Sequence, residues 1–98
     1  MKKLTLFAAM AASVSLSVNA FDVERKYAQT CAACHAMGVA GAPKSFDVGA
    51  WQPRMAEGMD KMVESVANGM NAMPPRGLCM DCTTEQYEAL IEYMAAPK

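Results

Sequence analysis

The stretch Cys31-Ala32-Ala33-Cys34-His35 decides how this sequence is interpreted. Its two sulfurs lie three residues apart, so one helical turn places both on the same side. From there both can reach the vinyl groups on one edge of a haem, and the following histidine can give the iron an axial nitrogen. The pattern predicts covalent haem attachment through Cys31 and Cys34, with His35 as an axial ligand.

A second pair, Cys79-Met80-Asp81-Cys82, has the same spacing but lacks a histidine, since His35 is the only one in the chain. It therefore cannot be a second haem site of the same kind. A local disulfide is its simplest use in an oxidising compartment, and two free thiols are the alternative.

The competing interpretation of the four cysteines is a zinc-binding or thiol-disulfide redox module without haem. However, 44 residues separate Cys34 from Cys79, which is well beyond the usual spacing of a zinc ribbon. The residues flanking Cys31 follow a helical pattern and not the βαβ context of a thioredoxin-like dithiol. Both alternatives are therefore disfavoured.

The first twenty residues have the pattern of a secretory signal peptide. Lys2 and Lys3 precede an apolar run from Leu4 to about Val18, and Val18-Asn19-Ala20 offers small residues for a signal peptidase. The run is shorter than the roughly 20 residues of a membrane-spanning helix. We expect cleavage after Ala20, export to the periplasm, and one mature domain over residues 21–98.

Length and charge exclude several classes of protein. The 98 residues suffice for one small domain, and 53% hydrophobic residues are enough for a core. Loss of residues 1–20 removes two lysines and no acid, which leaves seven basic and ten acidic residues, a formal charge of −3. No basic surface for nucleic acid is expected.

Hydrophobic spacing predicts an all-α domain. Val23, Tyr27 and Cys31 share one face of a first helix, and a loop is expected over residues 36–49. Pro53 and Gly58 are expected to bracket a short helical turn. Two further helices have apolar residues at i, i+3, i+4 and i+7: Met59, Met62, Val63 and Val66, ended by Asn68-Gly69; and Tyr87, Leu90, Ile91 and Met94, opened by a Thr83/Gln86 capping box.

The sixth iron position can be filled by methionine, lysine, water or nothing, because the chain has no second histidine. Met73 is the favoured ligand, since it precedes Pro74-Pro75 in a segment that cannot be helical and can present its thioether from a loop. Met70 continues the stripe of Val66, so packing is its expected role. Met70 and then Met80 are the next candidates.

Six features together resemble a class I cytochrome c, and more narrowly bacterial cytochrome c5, over nearly all of residues 27–94. They are Cys31–His35, Gly41–Lys44, Trp51–Arg54, Asn71–Gly77, Cys79–Cys82 and the closing helix with its tyrosines. The resemblance implies three to five helices around one haem c, with the first and last helices crossing. It also implies His35 and Met73 as axial ligands and a Cys79–Cys82 disulfide.

The resemblance also implies roles for two supporting residues. Pro43 would accept the His35 ring N–H through its carbonyl, and Trp51 would donate to a haem propionate. From the residues alone, Trp51 is simply the largest apolar side chain available to cover a haem, and Arg54 and Arg76 could equally meet propionates as surface cations.

With both axial positions filled, the iron would have no open site for a substrate, so one-electron transfer and no catalysis is expected. The donor would be a respiratory reductase and the acceptor a terminal oxidase or reductase. The negative net charge predicts partners with a basic docking patch and an encounter that salt slows. A peripheral position at the membrane surface, and a monomer or a weak homodimer, are compatible with the sequence.

Overall fold

The computed structural model describes residues 21–98, and the predicted signal peptide over residues 1–20 lies outside the described residues. The described part of the chain is all-α, as expected. Its helices are α1 (Val23–Gln29), α2 (Ala32–His35), α3 (Val48–Met55), α4 (Met59–Asn68) and α5 (Thr84–Ala95), with 3₁₀ turns over Val39–Gly41 and Pro75–Leu78. Within residues 21–98, no helix combines the length and apolarity needed to cross a membrane.

Side-chain caps fix the starts of α1 and α5. The Asp22 carboxylate accepts from the Arg25 backbone N–H at 3.1 Å and opens α1. Thr83 and Gln86 form the predicted capping box of α5, each side chain accepting from the other's backbone N–H. These contacts satisfy N–H groups that a helix start leaves without partners.

The segment around Pro53 differs from the sequence prediction. The helix here is α3, which begins at Val48, includes Pro53 and ends at Met55, while residues 56–58 form a turn and not a helix. The predicted loop over residues 36–49 therefore ends two residues early. The overlooked signal is Asp47, whose carboxylate accepts from the Ala50 N–H at 3.2 Å and starts the helix upstream. Proline's low helix propensity is overridden here by burial of Trp51.

The core lies where α1 and α5, the first and last helices, pack against each other. Leu90 and Ile91 of α5 are each only 2% exposed. The Tyr27 ring of α1 lies 5.1 Å from the Tyr93 ring of α5, and Phe46 stands edge-on to Tyr93 at 5.2 Å. This packing of the two terminal helices agrees with the arrangement that the resemblance implies, and it leaves α2 and residues 69–78 to form a cleft beside the core.

Candidate functional site

Two segments of the chain line an open cleft of about 800 Å³, a volume that includes its solvent-filled mouth. One segment lies within residues 30–43 and supplies Cys31, Cys34 and His35. The other lies within residues 70–78 and supplies Met73. The structure therefore brings the four predicted haem-binding side chains to one cleft, which is lined mainly by apolar atoms.

His35 is held in one tautomer. Its ring is buried, and Nδ1 lies 2.8 Å from the Pro43 carbonyl oxygen. A carbonyl can only accept, so Nδ1 carries the proton and Nε2 keeps its lone pair for a metal. The Ser45 backbone N–H also donates to the His35 carbonyl at 2.8 Å. The imidazole is thus prepared as a metal ligand by the chain itself.

Cys31 and Cys34 are free thiols and both are half-buried. Burial raises the pKa of the Cys31 thiol, and the hydroxyl of Thr30, 3.4 Å from its sulfur, partly offsets that effect. Thr30 is itself buried, and its hydroxyl donates to the Lys26 carbonyl at the end of α1. Cys31 therefore lies on a short, hydrogen-bonded stretch between α1 and α2, and Cys34 lies within α2.

Met73 sits on a tight turn. Its backbone exchanges two hydrogen bonds with Met70, at 2.8 and 3.0 Å, and Asn71 within the turn has a left-handed φ of 52°. Gly69 precedes the turn so closely that a Cβ there would lie 2.9 Å from the Met73 carbonyl oxygen. Such close backbone approaches require glycine. The turn thus presents Met73 from a fixed backbone.

The other methionine candidates lie elsewhere or point outwards. Met80 is 68% exposed and does not line the cleft. Met70 lines the cleft mouth but is 57% exposed. The prediction that Met70 packs as core was wrong, because α4 ends at Asn68 and the chain turns at Gly69, which removes Met70 from the helical stripe.

Trp51 makes its polar contact within the chain. Its indole N–H donates to the Lys44 carbonyl at 2.9 Å, so this donor is already paired within the chain and does not point to a propionate role. The ring is buried and lies 5.4 Å from the His35 ring. Trp51 therefore packs behind the histidine.

The two undecided arginines are also placed. Arg54 lines the cleft and donates to the Ala50 carbonyl of its own helix at 2.7 Å. The Arg76 guanidinium instead reaches the Met80 carbonyl and the Tyr87 hydroxyl.

Cys79 and Cys82 are joined by a disulfide and are both buried. Within residues 21–98, the only cluster of three or more side chains with metal-ligating atoms close together is Cys79, Asp81 and Cys82. Its two sulfurs are bonded to each other, so they are not available as zinc thiolates. This geometry disfavours the zinc interpretation.

The side chains of the cleft fit a covalently held haem. Two free thiols, an imidazole with an available Nε2 and a thioether line one apolar cleft, and these are the groups that haem c attachment uses. A model of the family described as "Cytochrome C oxidase, cbb3-type, subunit III" matches residues 19–94. Cytochrome c5 of Ectopseudomonas mendocina is 41% identical over 70 residues, which cover 69% of this chain and 80% of the relative. The chain belongs to the class I cytochromes c.

Solved structures agree with this assignment. A mono-haem ferrocytochrome c from Shewanella putrefaciens has a TM-score of 0.70 and 52% identity, and the match covers 83% of this chain and all of the other. The cytochrome c of an electron-transfer complex with nitrite reductase has a TM-score of 0.66 and 42% identity, and the match covers 74% and 88%. This cytochrome is similar to cytochrome c5, carries one covalent haem c with its iron, and is an electron carrier.

Sequence reasoning missed several residues that support the site. Ser45 is buried and accepts the Tyr27 hydroxyl at 2.8 Å while its N–H holds the His35 carbonyl. Gly77 packs so closely that a Cβ there would lie 2.9 Å from the Met73 methyl. A glycine two residues after Pro-Pro was a signal for such a close contact, whereas nothing in the sequence marked Ser45.

Proposed function

We propose that this cytochrome is a periplasmic one-electron carrier in which Cys31 and Cys34 attach the haem and His35 and Met73 are the axial ligands. The observation that carries the proposal is that these side chains line a single cleft, with His35 and Met73 contributed by different segments. When bound, the haem supplies an iron that gains and loses one electron.

The residues of the cleft suit that role in three ways. His35 keeps its proton on Nδ1, so Nε2 is free to bind. The soft thioether of Met73 favours the reduced metal and raises the potential. Apolar side chains of Val39 and Leu78 line the mouth and limit access of water. With both axial positions filled, no coordination site is left for a substrate, so we expect no enzymatic activity.

Visible spectroscopy tests the attachment. The mature protein should give a sharp low-spin reduced spectrum that stays with the chain after acid-organic extraction. A colourless protein, or a pigment that extracts freely, would contradict the proposal and reopen zinc or thiol chemistry at the cysteines.

Carbon monoxide tests the sixth ligand. The reduced wild-type protein should bind carbon monoxide slowly, and Met73→Ala should bind it rapidly because the axial position is vacated. Met70→Ala is the matched control, since Met70 lines the same cleft without being the proposed ligand. Rapid binding by the wild-type protein would refute the closed site, and an effect of Met70→Ala alone would reassign the ligand.

Redox partners would meet the protein at the mouth of the cleft. Val39, Met70 and Leu78 are each about half exposed there, and among the Asp, Glu, Lys and Arg side chains of residues 21–98 only Arg54 lines the cleft. The apolar mouth fits a brief, weak contact, while the net charge of −3 acts at longer range. The nitrite reductase complex of a similar cytochrome supports a reductase as acceptor.

Salt dependence tests this model of the encounter. With purified nitrite reductase as the probe, the association rate should fall as ionic strength rises, because the long-range attraction is screened. A rate that stays flat or rises would contradict electrostatic steering.

Cell fractionation tests the location. We expect the protein in the periplasmic fraction, with a mass that corresponds to a chain beginning at Phe21 plus one haem. A chain that retains residues 1–20 in the membrane fraction would contradict cleavage after Ala20.

A further inference from the structure

Arg76 has a left-handed backbone conformation, and its side chain donates two hydrogen bonds. Its φ is 69°, in the left-handed region, and its neighbours Gly77 and Leu78 have φ values of 56° and 68°. Left-handed backbone costs free energy at a non-glycine residue, so surrounding contacts must hold it. Arg76 Nη1 supplies such contacts by donating to the Met80 carbonyl at 3.2 Å and to the Tyr87 hydroxyl at 3.4 Å.

Tyr87 gives Arg76 a rigid anchor. It lies on α5, is only 5% exposed, and its hydroxyl donates to the Cys79 carbonyl at 2.8 Å. Cys79 is in turn fixed by the disulfide to Cys82 at the entrance to α5. The Arg76 side chain therefore connects the left-handed stretch to α5, the helix with the most buried residues within 21–98.

The same stretch contacts the proposed ligand. Met73, Arg76, Gly77 and Tyr87 all line a small inner cavity behind the main cleft. A Cβ at Gly77 would lie 2.9 Å from the Met73 methyl, so the Gly77 backbone forms the surface on which the thioether rests. Movement of Arg76 would carry Gly77 with it and release the methionine side chain.

We propose that Arg76 is a positioning residue for Met73: through Met80 and Tyr87 it fixes the Gly77 backbone and so keeps the thioether in place. This inference rests on the proposed role of Met73 as axial ligand. It assigns to Arg76 an action through the backbone, distinct from the effect of its positive charge on a haem.

The test compares Arg76→Ala with Arg25→Ala. Arg25 lies on α1 with an exposed side chain and lines neither cavity, so this control removes the same charge without touching the loop. Carbon monoxide binding to the reduced protein should become about tenfold faster in Arg76→Ala, as expected from the loss of more than one hydrogen bond. Arg25→Ala should stay within about twofold of the wild-type rate.

Two further variants keep the test decisive should Arg76→Ala fold poorly. Tyr87→Phe keeps the buried ring but removes the hydroxyl, and it should raise the rate in the same direction. Arg76→Lys keeps the charge and one donor group, and it should lie between wild type and Arg76→Ala. The ferric charge-transfer band of the iron–thioether bond should weaken in the same order.

Met73→Ala separates failure of this inference from failure of the proposed function. If Met73→Ala binds carbon monoxide no faster than wild type, Met73 is not the axial ligand, and the proposed role of Arg76 is refuted as well. If Met73→Ala is fast while Arg76→Ala, Tyr87→Phe and Arg25→Ala all match wild type, Met73 stays the ligand and the positioning role of Arg76 is refuted.

Discussion

The two segments that line the cleft fix their proposed ligands by different means. In residues 30–43, His35 follows directly on Cys34 in a helical turn, and one backbone carbonyl orients its ring. In residues 69–78, Met73 stands alone, and its place depends on successive left-handed residues and two glycines packed against it. We call residues 30–43 the histidine side and residues 69–78 the methionine side. The position of His35 is fixed by its neighbours in sequence and by one carbonyl, whereas the position of Met73 depends on the conformation of a loop, which substitutions can disturb more easily.

The largest effect should come from the cysteines of the histidine side. A Cys31→Ala/Cys34→Ala variant should hold no haem through acid-organic extraction, because no sulfur remains to form a thioether bond. Haem retained by the denatured chain is the measurement. Covalent haem in this variant would show that the attachment lies elsewhere.

Cys79→Ala/Cys82→Ala is the matched control, with an equal number of cysteines removed at the same spacing. It should keep its covalent haem and lose about 2 kcal/mol of unfolding free energy, as a loop this short predicts. Loss of the pigment on extraction would give the second pair a role in attachment.

On the methionine side, Gly69→Ala should destabilise the protein by about 3 kcal/mol, since it combines a left-handed φ with a backbone clash. The φ of Gly69 is 86°, and its Cβ would lie 2.9 Å from both the Met73 oxygen and the Pro75 nitrogen. Urea unfolding of the holoprotein measures the loss.

Gly58→Ala isolates the contribution of the backbone angle. Gly58 lies outside the cleft and has a φ of 101°, but nothing lies within 4 Å of a Cβ placed there. This variant should lose about 1 kcal/mol of unfolding free energy. Equal losses of unfolding free energy in the two variants would show that the close approach of Gly69 to Met73 does not add to the cost.

The difference between the two segments also explains how much could be predicted from the sequence. The cysteines and His35 are adjacent in sequence, so their spacing alone predicted a haem site, and periodicity with capping residues predicted α4 and α5. Met70 was misplaced because its role depends on where the chain leaves the helix at Gly69. Two hydrogen bonds could not be predicted from the sequence either. The bond from Trp51 to the Lys44 carbonyl and the bond from Arg76 to the Tyr87 hydroxyl join residues that no local pattern connects.

A smaller effect is expected from Trp51→Phe, which probes the support behind His35. The variant loses the hydrogen bond to the Lys44 carbonyl and some ring contact with His35, so we expect a loss of about 1.5 kcal/mol in urea unfolding. The reduction potential should change little, because the indole N–H is paired with the chain. A clear shift of the potential with unchanged stability would restore the propionate role.

The smallest effect should come from the ion pair between α1 and the disulfide segment, residues 79–82. Lys26 on α1 lies 3.2 Å from Asp81, which sits between the disulfide-bonded cysteines. The hydrogen bond from Lys26 lowers the pKa of Asp81 below its ordinary value. A carboxylate whose pKa is lower in the folded than in the unfolded chain stabilises the fold above the unfolded value of about 3.9, and this contribution disappears as the pH falls through the folded pKa.

Asp81→Asn should therefore lower the Tm at pH 7 by no more than about 2 °C, because the carboxylate is exposed to solvent. The wild-type and variant curves of Tm against pH should converge in acid, where the wild-type carboxyl is also neutral. Glu57→Gln removes an exposed carboxylate from the turn between α3 and α4 and should follow wild type at every pH. A difference in Tm between Asp81→Asn and wild type that persists at low pH would contradict this prediction. It would show that Asp81 stabilises the contact between α1 and the disulfide segment through packing and not through its charge.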